Sequence, residues 1–228
     1  MKYSEMIPSQ RSALNEREDI EWSNFWIDQA NQEVDGRILL IGDSTSRMIR
    51  STLAAMSGKP VDLLATSSGL HDSLFAAQMD CFFSSTEYRY DKIIVQLGHH
   101  AELGIGGGCY QESDWDSFQA EFSILIDFLQ QFTNTIVVES IFYTVKPNKL
   151  WPLAKLLHRK EKFDVEVNNI KARKNDIMRE IAVEKGATYL DINQFMLQSK
   201  KRYYHKDHIH YEKPAHKVIV AEMLRVLS

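Results

Sequence analysis

The stretch Arg37-Ile38-Leu39-Leu40-Ile41-Gly42-Asp43-Ser44 decides how the fold of this chain is interpreted. An unbroken aliphatic run that stops abruptly at Gly-Asp-Ser is typical of a parallel strand covered on both faces. The chain then enters a stretch with helical character, from Thr45 to Met56. We therefore interpret Ser44 as lying at a strand-to-helix turn, with its side chain above the carboxyl end of a sheet.

Short apolar runs recur along the chain, and several are rich in β-branched residues: Val61–Ala65, Ile93–Leu97, Ile136–Ile141 and Thr188–Leu190. Between them lie segments with helical periodicity. Apolar positions over Ser113–Phe132 and Val167–Ile181 step by three and four, and Pro214–Leu227 predicts a last helix. Ser113 with Asp116 resembles a capping box. Five strands alternating with helices predict a single α/β domain with a doubly wound parallel sheet.

The first 36 residues are interpreted as an N-terminal helical extension rather than as a separate domain. They are polar apart from an aromatic patch, Trp22, Phe25 and Trp26, which predicts a helix packed on the domain. The domain itself covers residues 37–228. An insertion at about 143–163 carries several lysines, and we expect it to lie over the carboxyl ends of the strands, where ligands bind in this architecture. The alternative is a solvated connection.

Composition and charge exclude several classes of protein. With 44% hydrophobic residues, the 228-residue chain can bury a full core, and its net charge of −4 argues against a nucleic-acid partner. It has no apolar run long enough to span a bilayer, and its N-terminus lacks the apolar core of a signal peptide. Two cysteines, Cys81 and Cys109, make no disulfide framework. We therefore expect a cytoplasmic location. The sequence does not indicate the oligomeric state.

Near the C-terminus, Asp207-His208-Ile209-His210 precedes the last predicted helix. A serine hydroxyl is a poor nucleophile until a base takes its proton, and an imidazole held by a carboxylate is the usual base. The spacing lets the Asp207 carboxylate reach one ring nitrogen of His210 and fix its tautomer. The N–H of Ser44 lies at a helix N-terminus, where it favours a developing oxyanion. A helix-capping role is the alternative for this serine.

Gly42-Asp43-Ser44 after the first strand and Asp207-x-x-His210 before the last helix resemble the SGNH (GDSL-type) superfamily of esterases and acyltransferases. The resemblance spans roughly residues 37–228. It implies a three-layer α/β/α sandwich with a five-stranded parallel sheet in flavodoxin-like order. It also implies that the serine is the nucleophile, the histidine the base and the aspartate its orienter. A family glycine after the second strand, whose N–H joins the oxyanion hole, is matched by Gly69.

The third family element departs from its usual form. The family has Gly-x-Asn-Asp at the end of the third strand, whereas this chain has Gly98-His99-His100-Ala101, so His100 stands at the asparagine position. A neutral imidazole can donate one N–H, which would keep a role in the oxyanion hole. Losing one such donor costs about 100- to 1,000-fold in rate. Some relatives that modify polysaccharides also lack this asparagine, which favours a glycan substrate.

These features predict a serine esterase that hydrolyses acyl esters, O-acetyl groups on a carbohydrate above all, without a cofactor. The first alternative is an O-acetyltransferase acting on a cell-surface glycan or its precursor, with acetyl-CoA as donor and the basic insertion near its phosphates. The second is a catalytically weak glycan-binding module. No feature of the sequence chooses between water and a sugar hydroxyl as acceptor.

Two further interpretations concern a metal site and the role of Asp43. A metal site is the chemical rival to the serine mechanism, although the histidine spacing matches no closed zinc pattern; its candidate ligands are His99, His100, His205, Asp207, His208 and His210. Asp43 is expected to be a capping carboxylate rather than a member of the triad.

Overall fold

The computed structural model describes residues 1–7, 20–84, 86, 88–100, 111–146, 161–199, 203, 205, 207 and 209–227. Strands and helices alternate along most of this part of the chain. In order they are α1 (Tyr3–Met6), β1 (Ser23–Trp26), β2 (Ile38–Gly42), α2 (Ser44–Ser57), β3 (Val61–Thr66), α3 (Ser73–Ser84), β4 (Lys92–Gln96), α4 (Glu112–Leu129), β5 (Ile136–Glu139), α5 (Val165–Glu184), β6 (Thr188–Leu190), α6 (Ile192–Gln198) and α7 (Lys213–Leu227).

The described strands form one sheet in the order β1-β3-β2-β4-β5-β6. All five strands predicted from the apolar runs are present, and they pair in parallel. Their order, β3-β2-β4-β5-β6, is the flavodoxin-like order that the resemblance implies. Every residue of β2 is buried, which is why its sequence is a continuous aliphatic run rather than an alternating one. The predicted fold class is therefore confirmed.

Helices cover both faces of the sheet and divide the core into two layers. One core cluster packs α1, α3, α4 and α5 against residues such as Leu39, Ile93 and Val138. The other packs α2, α6 and α7 against the alternate positions, such as Leu40 and Ile94. Because neighbouring residues of each parallel strand point to opposite faces, both layers need apolar side chains from the same strands. This arrangement is the expected three-layer sandwich.

The N-terminal segment corrects one prediction. Its aromatic patch does not form a helix, because Ser23–Trp26 is a strand that pairs antiparallel with β3, Ser23 opposite Thr66. The described part of residues 1–36 is helical only over Tyr3–Met6. Phe25 packs against Phe82 of α3, with ring centroids 5.5 Å apart. The strand covers the edge that β3 would otherwise expose, so the sheet has six strands among the described residues instead of five.

The helix ends differ from the prediction in detail. Helix α4 begins after Gln111, whose backbone N–H donates to Asp114 at 2.7 Å, so the capping box lies two residues before the predicted Ser113–Asp116 pair. Helices α3 and α6 were not identified by periodicity. The described helices include none with the length and apolar character needed to cross a membrane.

The predicted insertion at 143–163 is described only at its two ends. Val145 and Phe163 form an antiparallel bridge, and the Lys146 N–H donates to the Lys162 carbonyl at 2.7 Å. The Asp164 N–H donates to the Thr144 carbonyl at 3.0 Å. We call these paired ends the clasp. The two described ends of the predicted insertion therefore lie side by side.

Candidate active site

Ser44 is the first residue of α2 and is half-buried. Asp43 precedes it in an extended conformation and caps the helix, with its Oδ1 accepting the Thr45 N–H at 2.8 Å. This is the capping role expected for Asp43. Gly42 is needed because neighbouring groups lie very close to its Cα, not because its backbone is left-handed. A Cβ there would lie 2.6 Å from the Gln96 carbonyl oxygen and would also clash with the Ser46 side chain. The turn therefore holds Ser44 tightly against the end of the sheet.

Three of the predicted site residues form one hydrogen-bonded chain. Ser44 Oγ lies 2.5 Å from His210 Nε2, and His210 Nδ1 lies 2.9 Å from Asp207 Oδ2. Burial would raise the pKa of Asp207, but hydrogen bonds from the His210 backbone and ring and from the Ile209 N–H outweigh it and lower that pKa to about 2. The carboxylate is thus ionised at neutral pH, so His210 can donate from Nδ1 and keep Nε2 as the acceptor that faces Ser44.

The loop that carries Asp207 and His210 is fixed at several points. Asp207 Oδ1 accepts the backbone N–H groups of Ile209 and His210, both at 2.8 Å. On either side of the pair, His205 and Tyr211 form an antiparallel bridge and stack their rings, with centroids 4.2 Å apart. His205 Nδ1 also lies 3.0 Å from Glu161 Oε2. The imidazole of His210 is therefore oriented by its own loop and by the returning arm of the clasp.

A cleft that is partly open to solvent adjoins the nucleophile turn at Asp43. Asp43, Gly69 and His100 all line this cleft. The structure therefore places the two remaining predicted site residues, Gly69 and His100, in the same cleft as Asp43, which precedes Ser44. Gly69 lies just after β3, in a turn where its carbonyl accepts the Asp72 N–H at 3.0 Å. Leu70, Leu97 and Phe118 give the cleft an apolar wall.

His100 contacts the N-terminal segment, which sequence reasoning did not connect to the site. Its ring meets Trp22 edge to face at 6.2 Å, and the Arg47 guanidinium lies 5.0 Å from the same indole. Burial raises the pKa of Asp43, while the nearby imidazoles of His100 and His210 and the Thr45 N–H act against that rise. The Asp43 carboxyl therefore lies within electrostatic reach of both histidines.

Two buried lysines of α5 hold the segment that leads to His100, and periodicity gave no sign of them. Lys174 Nζ donates to the Gly98 carbonyl at 3.2 Å, and Lys171 Nζ lies 3.2 Å from His99 Nδ1 and also donates to the hydroxyl of Thr144. Burial, followed by the charge of Lys171, lowers the pKa of His99 well below its ordinary value. Gly98 has φ +120°, a conformation that favours glycine. This turn is therefore fixed by its backbone and by two ammonium groups.

The metal hypothesis receives no support from the described residues, which include no group of three or more histidine, cysteine, aspartate or glutamate side chains able to hold an ion. Its candidate ligands are divided instead among separate contacts: His99 with Lys171, His205 with Glu161, and His210 with Ser44. Two other residues considered from the sequence, His208 and Cys109, lie outside the described ones.

The fold has counterparts among solved structures. A candidate SGNH hydrolase from Slackia heliotrinireducens aligns with a TM-score of 0.59 and 15% identity over 84% of this chain and 98% of its own. The acetylxylan esterase Axe2 from Geobacillus stearothermophilus aligns with a TM-score of 0.55 and 13% identity over 85% of this chain and 94% of its own. The fold class is thus that of the SGNH-type hydrolases.

A third similar structure is LAE5, an α/β hydrolase from the metagenome of Lake Arreo, Spain. It aligns with a TM-score of 0.57 and 14% identity over 87% of this chain and 97% of its own. No protein-family model matches the sequence, and the search of curated proteins gives no match. The expected resemblance is therefore confirmed at the level of the fold.

Proposed function

We propose that this protein is a serine ester hydrolase of the SGNH type. The observation that carries the proposal is the hydrogen-bonded chain from Ser44 Oγ through His210 to the Asp207 carboxylate. A helix-capping serine needs no such partner on its hydroxyl, and here the cap of α2 is supplied by Asp43 instead. The alternative reading of Ser44 as a structural cap therefore does not explain its contacts.

In this mechanism, His210 Nε2 accepts the hydroxyl proton while Ser44 Oγ attacks the ester carbonyl. The tetrahedral oxyanion would be held by the backbone N–H groups of Ser44 and Gly69 and by the ring of His100. His210 then gives its proton to the leaving alcohol, which forms the acyl-enzyme. Water, deprotonated by the same imidazole, attacks the acyl carbon and releases the acid and the serine. Asp207 orients and stabilises the imidazolium throughout.

For the substrate, we propose an O-acetyl ester on a carbohydrate. Acetylxylan esterases are among the proteins with the same fold, and the histidine at the asparagine position of the third family element points the same way. Water as the acceptor needs no cofactor. Transfer from acetyl-CoA remains the alternative outcome, and assays with and without acetyl-CoA and acceptor sugars distinguish the two.

The test uses a fluorophosphonate probe together with 4-nitrophenyl acetate hydrolysis, for the wild type and for Ser44→Ala. We expect labelling to disappear and kcat to fall by a factor on the order of 10^4 or more in the variant, because the attacking group is removed. Ser51→Ala is the matched control, since Ser51 is an exposed serine of the same helix. Equal hydrolysis by the wild type and Ser44→Ala would overturn the proposal, and an unlabelled wild type would favour the glycan-binding module.

A further inference from the structure

The dipeptide Glu21-Trp22 lies just before β1 and continues its pairing past the end of β3. The N–H of Ser67, which follows β3, donates to the Trp22 carbonyl at 3.1 Å, and the Trp22 N–H donates to Ser67 Oγ at 2.9 Å. The edge of β3 is already covered by the strand residues Ser23–Trp26. The two residues before the strand therefore reach the turn that carries Gly69, and the proposed mechanism gives them no role.

The carboxylate of Glu21 holds the two serines that precede Gly69. Its Oε2 accepts the hydroxyl of Ser67 at 2.5 Å and that of Ser68 at 3.3 Å, and both serines are buried. Hydrogen bonds to a carboxylate are shorter and stronger than those between neutral groups. Because Gly69 follows Ser68 directly, these bonds limit where the Gly69 N–H can lie.

The indole of Trp22 lies against His100, the side chain assigned to the oxyanion hole. The two rings meet edge to face, with centroids 6.2 Å apart, a geometry that aromatic pairs favour. The Arg47 guanidinium of α2 lies 5.0 Å from the centre of the indole, which also packs on the core layer of that helix. The indole is thus held by its own backbone and by α2, and it can support the imidazole in turn.

We infer that Glu21 and Trp22 are positioning residues for the oxyanion hole, because one dipeptide contacts both the Gly69 turn and the His100 ring. The inference rests on the proposed function for what those two groups bind. Donors stabilise an oxyanion only at roughly 2.7–3.1 Å, and a misplacement of about 1 Å can cost about 100-fold in rate. Glu21 and Trp22 act through Gly69 and His100 rather than on the ester itself.

The experiment on Trp22 measures kcat and KM for 4-nitrophenyl acetate. We expect Trp22→Leu to lower kcat by about ten- to a hundredfold with little change in KM. Trp22→Phe, which keeps an aromatic edge for His100, should recover part of the rate. Trp26→Leu is the matched control, because Trp26 is a half-exposed tryptophan of the same segment that also lies beside an arginine of α2, Arg50 at 4.4 Å. Equal losses in Trp22→Leu and Trp26→Leu would overturn the inference.

A double-mutant cycle separates positioning from a general loss of stability. In the His100→Ala background, Trp22→Leu should lower kcat no further, because the group through which it acts is gone. Glu21→Ala should lower kcat by about tenfold both in the wild type and in that background, since it acts through the Gly69 turn. A loss from Trp22→Leu that is the same with and without His100 would contradict the inference. So would unchanged kcat in both Trp22→Leu and Glu21→Ala, with their folds verified by circular dichroism.

A spectroscopic measurement separates this inference from the proposed function. The ring protons of His100, assigned by their loss in His100→Ala, should shift in the NMR spectrum of the Ser44→Ala protein when Trp22→Leu removes the indole. Trp26→Leu should leave them in place. If the wild type hydrolyses no ester, the proposed function fails while this shift still supports the positioning of the His100 ring by Trp22. His100 signals that do not move in Trp22→Leu would contradict the inference whatever the activity.

Discussion

The two sides of Ser44 are built in different ways. On one side, His210 and Asp207 come from a single short loop, three residues apart, and form a linear chain of hydrogen bonds to the serine. On the other side, the cleft takes its residues from separate parts of the chain, among them Gly69 after β3, His100 after β4 and Lys174 on α5. The first side needs only a local loop to be correct, whereas the second depends on how several elements pack.

This difference matches the two tasks proposed for the site. Proton transfer requires the same few atoms whatever the substrate, so it suits a compact set of contacts with little freedom. Recognition of an ester and its oxyanion depends on the shape and charge of the cleft wall. Because separate elements form this wall, a substitution in one of them can change recognition while the others stay the same. We therefore expect substitutions on the loop side to abolish turnover and those on the cleft side to change its rate and its selectivity.

The largest effect is expected on the loop side, for Asp207→Asn. The amide cannot hold the imidazole in the tautomer that faces Ser44, so kcat for 4-nitrophenyl acetate should fall by a factor on the order of 10^4. Asp91→Asn is the control, because the Asp91 carboxylate pairs with Lys59 at the surface, at 3.0 Å. A small loss in Asp207→Asn, similar to that of the control, would mean that the chain of hydrogen bonds is not used in catalysis.

A smaller effect is expected on the cleft side, for His100→Ala. If the ring donates to the oxyanion, its removal should lower kcat by about 100- to 1,000-fold with little change in KM. His100→Asn, which restores an amide donor, should recover part of the rate. His71→Ala removes another imidazole from the same wall and should have much less effect on a neutral ester. Equal losses in His100→Ala and His71→Ala would remove His100 from the oxyanion hole.

The last effect concerns stability rather than turnover and arises at the same edge of the sheet. Glu139 ends β5, fully buried, and neither carboxyl oxygen has a hydrogen-bond partner among the described residues. Burial raises its pKa from 4.5 to about 8, so the folded state holds the proton more tightly than the unfolded chain. The contribution of the protonated Glu139 carboxyl to the free energy of unfolding is complete below pH 4.5. It is lost as the pH rises to about 8, by up to ~1.4 kcal/mol per pH unit.

Urea unfolding of the wild type and Glu139→Gln over this pH range tests the expectation. The neutral amide should remove this part of the pH dependence and make the variant more stable relative to the wild type at pH 8 than at pH 5. Glu166→Gln, on an exposed position in the first turn of α5, is the control. Parallel pH curves for the wild type and Glu139→Gln would show that Glu139 is charged in the folded protein.

The parallel strands and the loop side of the site could be predicted from the sequence because their signals are local. Ile38–Ile41 and Ile93–Leu97 are buried on both faces, and continuous apolar runs are typical of such strands. Likewise, the spacing of Asp207 and His210 already brings the carboxylate to the ring. Strand β1 could not be predicted in the same way, because its pairing with Thr66 depends on a partner about forty residues away.

The cleft side was predicted only where the family resemblance supplied a position, as at Gly69 and His100. Helical periodicity assigns lysines to the solvent face, yet Lys171 and Lys174 are buried because their ammonium groups hold the turn at Gly98 and His99. Trp22 was assigned to a helix packed on the domain, whereas it lies against His100. Such contacts join residues far apart in the chain, and no local pattern encodes them.

The clasp at the base of the insertion has a consequence for how this protein can be altered. Because Val145 and Phe163 already bridge, the two points where the insertion joins the domain are held together by their own contacts. A foreign segment joined at those two points would start and finish at fixed positions, which favours grafting there. One residue must be retained in any such graft: Glu161, whose carboxylate holds His205 and, through it, the loop of His210.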